Sequence, residues 1–149
     1  VRPSSTETND TSNSTLTAQF FTLTYDATLD AVNDISSGDQ TALEVFRIAR
    51  SEAAGRRTVV ITIKNLPPDG VLGESSYRIR QNNPKDYKEK TATYGETAFI
   101  TMQKSDGSEL TAFTNYGGKL AMVSYALGAP GADLEAEAAA LLSQFRWLK

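Results

Sequence analysis

Hydrophobic and polar positions are unevenly spread along this chain. Residues 1–17, VRPSSTETNDTSNSTLT, carry Val1 and Leu16 as their only large aliphatic side chains among Ser, Thr and Asn. Such a segment buries too little surface to offset the entropy of ordering it, so it reads as a polar tether, with residues 18–149 forming one domain. The pattern changes at Gln19. In FFTLTYD (20–26), Phe21, Leu23 and Tyr25 fall on one side of a two-residue period and Thr22 and Thr24 on the other, which predicts a strand with one buried face.

Two further runs rich in β-branched and aromatic residues, TALEVFRIA (41–49) and RTVVITIK (57–64), predict a hairpin whose loop contains Gly55. Leu66-Pro67-Pro68-Asp69-Gly70 ends the second run, because proline cannot donate to a ladder and Asp-Gly favours a turn. Residues 73–82 carry good helix formers and stop before Asn83-Pro84, which predicts a short helix. Four strands follow, at 88–94, 96–104, 109–115 and 119–127, separated by Tyr94-Gly95, Asp106-Gly107 and Gly117-Gly118, whose glycines suit tight hairpin turns. Ala98, Ile100 and Met102 alternate in one of these strands, and Ala121, Val123 and Tyr125 in another, so the expectation is one shared apolar sheet face.

Residues 133–145, DLEAEAAALLSQF, predict a closing helix: Asp133 is the N-cap, Glu135 and Glu137 lie near the positive end of the helix dipole, and Leu134, Ala138, Leu141, Leu142 and Phe145 form one stripe. Trp147 is expected at the edge of the core. The order of elements predicts an α+β fold in which an antiparallel sheet of about six to seven strands is flanked by helices, an α/β/α sandwich.

Composition narrows the chemistry. With 40% apolar residues in 149, the chain is long enough for one core, and 15 basic against 18 acidic residues give no net positive field to draw it onto nucleic acid. The chain has neither cysteine nor histidine, which removes disulfides, thiolate nucleophiles, the usual general base and the usual zinc ligands. No run of about 18 apolar residues occurs, so no transmembrane segment is expected. The chain opens on Val1 and not on Met, which suggests a leader or membrane anchor upstream, and Asn9-Asp10-Thr11 and Asn13-Ser14-Thr15 have the form of N-glycosylation sequons.

Four stretches together carry a family resemblance: Phe21-Thr22-Leu23-Thr24-Tyr25, Tyr94-Gly95-Glu96-Thr97-Ala98, Gly118 through Tyr125, and Leu141-Leu142-Ser143-Gln144-Phe145-Arg146-Trp147. Over most of residues 19–149 the chain resembles the PsbP/Mog1-like domains, including bacterial lipoproteins related to the extrinsic protein of photosystem II. It departs from their pattern at Gln144, which interrupts a serine-to-phenylalanine pairing, and at Asp26-Ala27-Thr28-Leu29, where proline and tryptophan often follow the first strand. The resemblance implies a noncatalytic binding or accessory domain, secreted or lipid-anchored behind a Ser/Thr-rich linker, with a protein partner, no cofactor and no shared catalytic motif.

Candidate sites follow from side-chain chemistry. Arg47, Arg50, Arg56 and Arg57 flank the first hairpin, and Arg78 and Arg80, followed by Lys85, Lys88 and Lys90, lie around the short helix. Were these ends neighbours, they would form a basic patch for an acidic partner. Tyr77 and Tyr87, with Tyr94, bracket the same region and suit a tyrosine-lined pocket. Asp30, Asp34 and Asp39 fall in what reads as a loop after the first strand and are the candidate metal ligands, although their spacing matches no EF-hand. No serine has a recognisable base, and no phosphate loop or dinucleotide fingerprint occurs. The leading expectation is therefore an extracytoplasmic, noncatalytic binding domain that presents a sheet face or loops to a protein or small ligand. The first alternative is the subunit of a self-assembling surface filament or layer, in which the N-terminal tail adds a strand to a neighbour. An enzyme working through paired carboxylates is the remote one.

Overall fold

The computed structural model describes residues 13–36, 42–50, 57–127 and 134–148. Within them, β3 (Asp30–Asp34), β4 (Glu44–Arg50), β5 (Arg57–Asn65), β6 (Tyr87–Tyr94), β7 (Thr97–Lys104), β8 (Glu109–Tyr116) and β9 (Lys119–Leu127) form a seven-stranded antiparallel sheet, ordered β3-β4-β5-β9-β8-β7-β6. A second, three-stranded sheet has the order β1-β2-β10, from β1 (Asn13–Thr17), β2 (Phe21–Asp26) and β10 (Phe145–Trp147). The helices are α1 (Ser75–Gln81), preceded by a 3-10 turn at Gly70–Gly73, and α2 (Leu134–Leu142).

Register sorts the large sheet into two faces. The inner face aligns Phe46 with Ile61, Val123 and Ala112, and in the adjoining row Ile48 with Val59, Tyr125 and Leu110. Over it lie Leu134, Ala138, Leu141 and Leu142 of α2, together with Phe21, Leu23 and Phe145 of the small sheet, in one continuous core. Phe145 stacks on Phe21 at 5.2 Å between ring centroids. The buried carboxylate of Glu44 ties the two sheets together by accepting from the backbone N–H groups of Gln19 at 3.0 Å and Phe20 at 3.1 Å. On the outer face, Met102, Phe113 and Leu120 pack under Tyr77 of α1, whose ring meets Phe113 edge-on at 5.6 Å. Helices thus flank opposite faces of the sheet, an α+β sandwich as the sequence predicts.

Four expectations need correction. Ala98, Ile100 and Met102 do not share a face with Ala121, Val123 and Tyr125, because Met102 pairs with Thr111 and Thr111 with Ser124, which places the two apolar sets on opposite sides. Both faces are apolar in this half of the sheet, and each has its own helix. Asp30 and Asp34 lie in a strand and not in a loop, since Asp30 is drawn inward by two arginines. Phe145 belongs to β10 and not to the helix, which ends at Leu142. Residues 13–17, read as the end of the tether, pair with β2, and Leu16 packs on the core. Asp39, Arg56 and Asp133 lie outside the described residues.

Candidate functional site

The inner layer has two ends, and they are built differently. At one end the hairpins β6–β7 and β8–β9 turn through two residues each, with Tyr94 paired to Thr97 and Tyr116 paired to Lys119. The second of these turns is Gly117-Gly118, with φ of 57° and 78°, a conformation that glycine adopts without strain. In two-residue hairpins the closing pair exchanges both backbone hydrogen bonds, and every second residue after it points its N–H and C=O to the other side. Ala98 and Ile100 therefore aim their backbone groups from β7 toward β8, and Asn115 and Phe113 aim theirs from β8 toward β7.

The ladder between these strands runs only from Gln103↔Leu110 to Ile100↔Phe113. Beyond it neither Phe99 with Thr114 nor Ala98 with Asn115 is joined, which leaves an unpaired stretch, or slot, between the two strands before their turns. Each tip is held by a different layer. Gly95, with φ of 65°, sits so close to the turn after α2 that a Cβ there would lie 2.5 Å from the Ser143 carbonyl oxygen. Arg146 donates to that same oxygen at 2.5 Å and pairs with Glu96 at 2.9 Å, which binds the β6–β7 tip to the small sheet. The β8–β9 tip is held instead by Leu66, whose N–H donates to the Gly118 carbonyl at 2.9 Å.

Two clefts open from the slot and share Ala98, Thr114 and Asn115 in their walls. The larger, of about 460 Å³, faces outward between Val71, Thr91, Ile100 and Phe113. The smaller, of about 320 Å³, faces the small sheet and is lined by Tyr116, Arg146 and Trp147. Tyr116 is 44% exposed and its ring lies 6.2 Å from that of Trp147. The Trp147 indole Nε1 is buried with no hydrogen-bond acceptor among the described residues. These walls offer aromatic and aliphatic surface beside a stretch of main chain that is outside the ladder.

At the other end, the side chains close around charge. The Asp30 carboxylate, with no exposed surface, accepts from Arg50 Nε at 3.0 Å, Arg50 Nη2 at 3.0 Å and Arg57 Nη2 at 2.8 Å. Arg57 also donates to the Tyr125 hydroxyl and lies over that ring at 5.3 Å. Burial pushes the Tyr125 phenol above its ordinary value, with the Arg57 charge pulling against it. The Asp30 hydrogen bond holds the Arg50 guanidinium above its usual range.

The remaining residues singled out from the sequence lie away from this cluster. Arg47 is exposed on the outer face of β4, while Arg78 is exposed on α1. Arg80 is half-buried, donates to Ser76, pairs with Glu109 at 3.7 Å and covers the Tyr87 ring at 5.4 Å. Tyr77 is buried and donates to Glu89 at 3.1 Å. Asp34 is exposed and accepts from Ser36, which lowers its pKa through those hydrogen bonds. Arg50 and Arg57 are thus brought together with Asp30, and Arg80 with Tyr87, while Arg47, Arg78 and Asp34 stand apart from them. Among the described residues no three acidic side chains group as metal ligands. Sequence reasoning missed Ala98, Asn115 and Trp147 as a set, and the only signal available was the pair of two-residue turns beside them.

Comparison with known proteins gives the fold a name. The chain is similar to the solution structure of cyanobacterial PsbP (CyanoP) from Synechocystis sp. PCC 6803, with a TM-score of 0.60, 14% identity, and coverage of 92% of this chain and 93% of that one. The fold is PsbP-like. A crystal structure from Bacteroides thetaiotaomicron VPI-5482 is similar at a TM-score of 0.50 and 14% identity, over 87% of this chain and 45% of that chain. No family model matches the sequence, and no curated protein does. No helix among the described residues is long and apolar enough to cross a membrane.

Proposed function

We propose that this PsbP-like chain is a noncatalytic accessory domain working outside the cytoplasm, where it holds a protein partner by an extended segment laid into the slot between β7 and β8. The observation that carries the reading is the ladder that stops at Ile100↔Phe113, three residues short of Thr97 and Tyr116, the closing residues of the two hairpins. Backbone groups left unpaired within a sheet are satisfied by water or by another strand, and a strand also places side chains against both clefts. Tyr116 and Trp147 supply the rigid aromatic surface on which such contacts concentrate. The Ser/Thr-rich residues before β1 suit a linker, in keeping with an anchored or secreted domain.

Selection of displayed random peptides on the immobilised chain tests the reading. Selected peptides are expected to perturb the amide signals of Ala98 and Asn115, and to lose at least about tenfold in affinity on Trp147→Ala or on N-methylation of their central residue. Peptides that bind another face, or that tolerate N-methylation throughout, would contradict strand capture. A selected sequence matching residues 1–12 would point to self-assembly, a reading that the edge position of β1 also favours.

A further inference from the structure

At the charged end a cavity of about 330 Å³ opens between β2, the ends of β4 and β5, and α2. We propose that it binds a neutral, hydroxyl-rich ligand the size of one sugar ring, independently of the β7–β8 slot.

The floor is built and incompletely satisfied. Arg57 is only 8% exposed, its two terminal nitrogens are engaged by Tyr125 and Asp30, and its Nε–H has no acceptor among the described residues. A buried guanidinium N–H with no partner among the described residues leaves a donor at the cavity floor for an acceptor placed there.

The walls decide what kind of acceptor fits. Arg50 and Arg57 are the cations, while Asp26 and Glu137 line the same cavity and Asp30 lies directly behind the arginines. Two guanidiniums against three carboxylates leave no cationic field to hold an inorganic anion, and the arginines repel a metal ion or an amine. Asn13 and Gln144 add amides, each both donor and acceptor. A hydroxyl is also both at once, so a ring of hydroxyls can give to Glu137 and Asp26 while accepting from Arg57. Tyr25 presents a half-buried ring on which the apolar side of a sugar can rest. The volume lies at the lower end of the roughly 300–1,000 Å³ typical of small-molecule sites.

The test is a titration of the isotope-labelled intact chain with D-glucose, D-galactose and D-mannose, with inorganic phosphate and glycine run alongside. At least one sugar is expected to shift the Arg57 Nε–H and the Tyr25 and Gln144 amide signals saturably, with a dissociation constant on the order of 1 mM. Glu137→Ala and Gln144→Ala, the latter at an exposed position, are each expected to weaken that sugar about fivefold while the rest of the amide spectrum stays unchanged. Saturation by phosphate or glycine in place of a sugar would overturn the proposal. So would sugar shifts mapping elsewhere on the chain, or no saturation by any of the three sugars.

Discussion

The two ends of the large sheet belong to one ladder order yet solve opposite problems. Where β4 ends and β5 begins, Asp30, Arg50, Arg57 and Tyr125 draw the chain together, and the buried charges have one another as partners. Where β7 and β8 approach their turns, two hairpin tips are tethered to different layers, Gly95 to Ser143 and Gly118 to Leu66, and the ladder opens. One end draws its rigidity from side chains paired with one another. At the other the ladder stops short of the turns, and an unpaired stretch of that kind favours recognition over stability.

Substitutions at the closed end should therefore act mainly on stability. The largest effect is expected from Asp30→Asn, which leaves two guanidiniums facing a neutral amide, at a cost of about 3–5 kcal/mol. Urea unfolding measures it, and a loss below about 1 kcal/mol would show that the cluster is better hydrated than its burial implies. Tyr125→Phe removes one hydrogen bond from the same cluster, at a cost of about 1 kcal/mol near neutral pH. Because burial raises the Tyr125 pKa in the folded chain, its neutral form contributes stability that is present below the ordinary tyrosine value near 10 and is lost as pH rises through the folded value. Unfolding midpoints measured upward from pH 9 should thus fall less steeply for Tyr125→Phe than for the parent chain. Tyr77, raised by burial and its hydrogen bond to Glu89, and Lys90, raised by its hydrogen bond to Glu135, contribute to the remaining slope.

Much of the fold was legible because alternation within a strand is a local property. Phe21 and Leu23, Val59 through Ile63, and the glycine-led turns of the meander fall where periodicity predicts them. The phase between strands is not local. A period of two says that Met102 and Val123 each face some core, but only the register shows that the cores lie on opposite sides of the sheet. Phe145 fits a helical stripe and a strand equally well in sequence, and pairing with Leu23 decides between them. Asp30-Ala31-Val32-Asn33-Asp34 reads as a loop because nothing in its composition reveals the arginines that meet it. The slot was the least legible feature. Gly95 announces a turn, but nothing in composition or pattern reveals that it lies against the Ser143 carbonyl, 48 residues on.

Residue-resolved amide hydrogen exchange on the intact chain tests the open ladder most directly. The N–H groups of Ala98 and Asn115 should exchange at rates typical of loops, while those of Ile100 and Phe113, one step deeper, should be protected at least about a hundredfold more. Comparable protection at all four positions would mean that β7 and β8 pair through to their turns, and the account of the slot would be wrong.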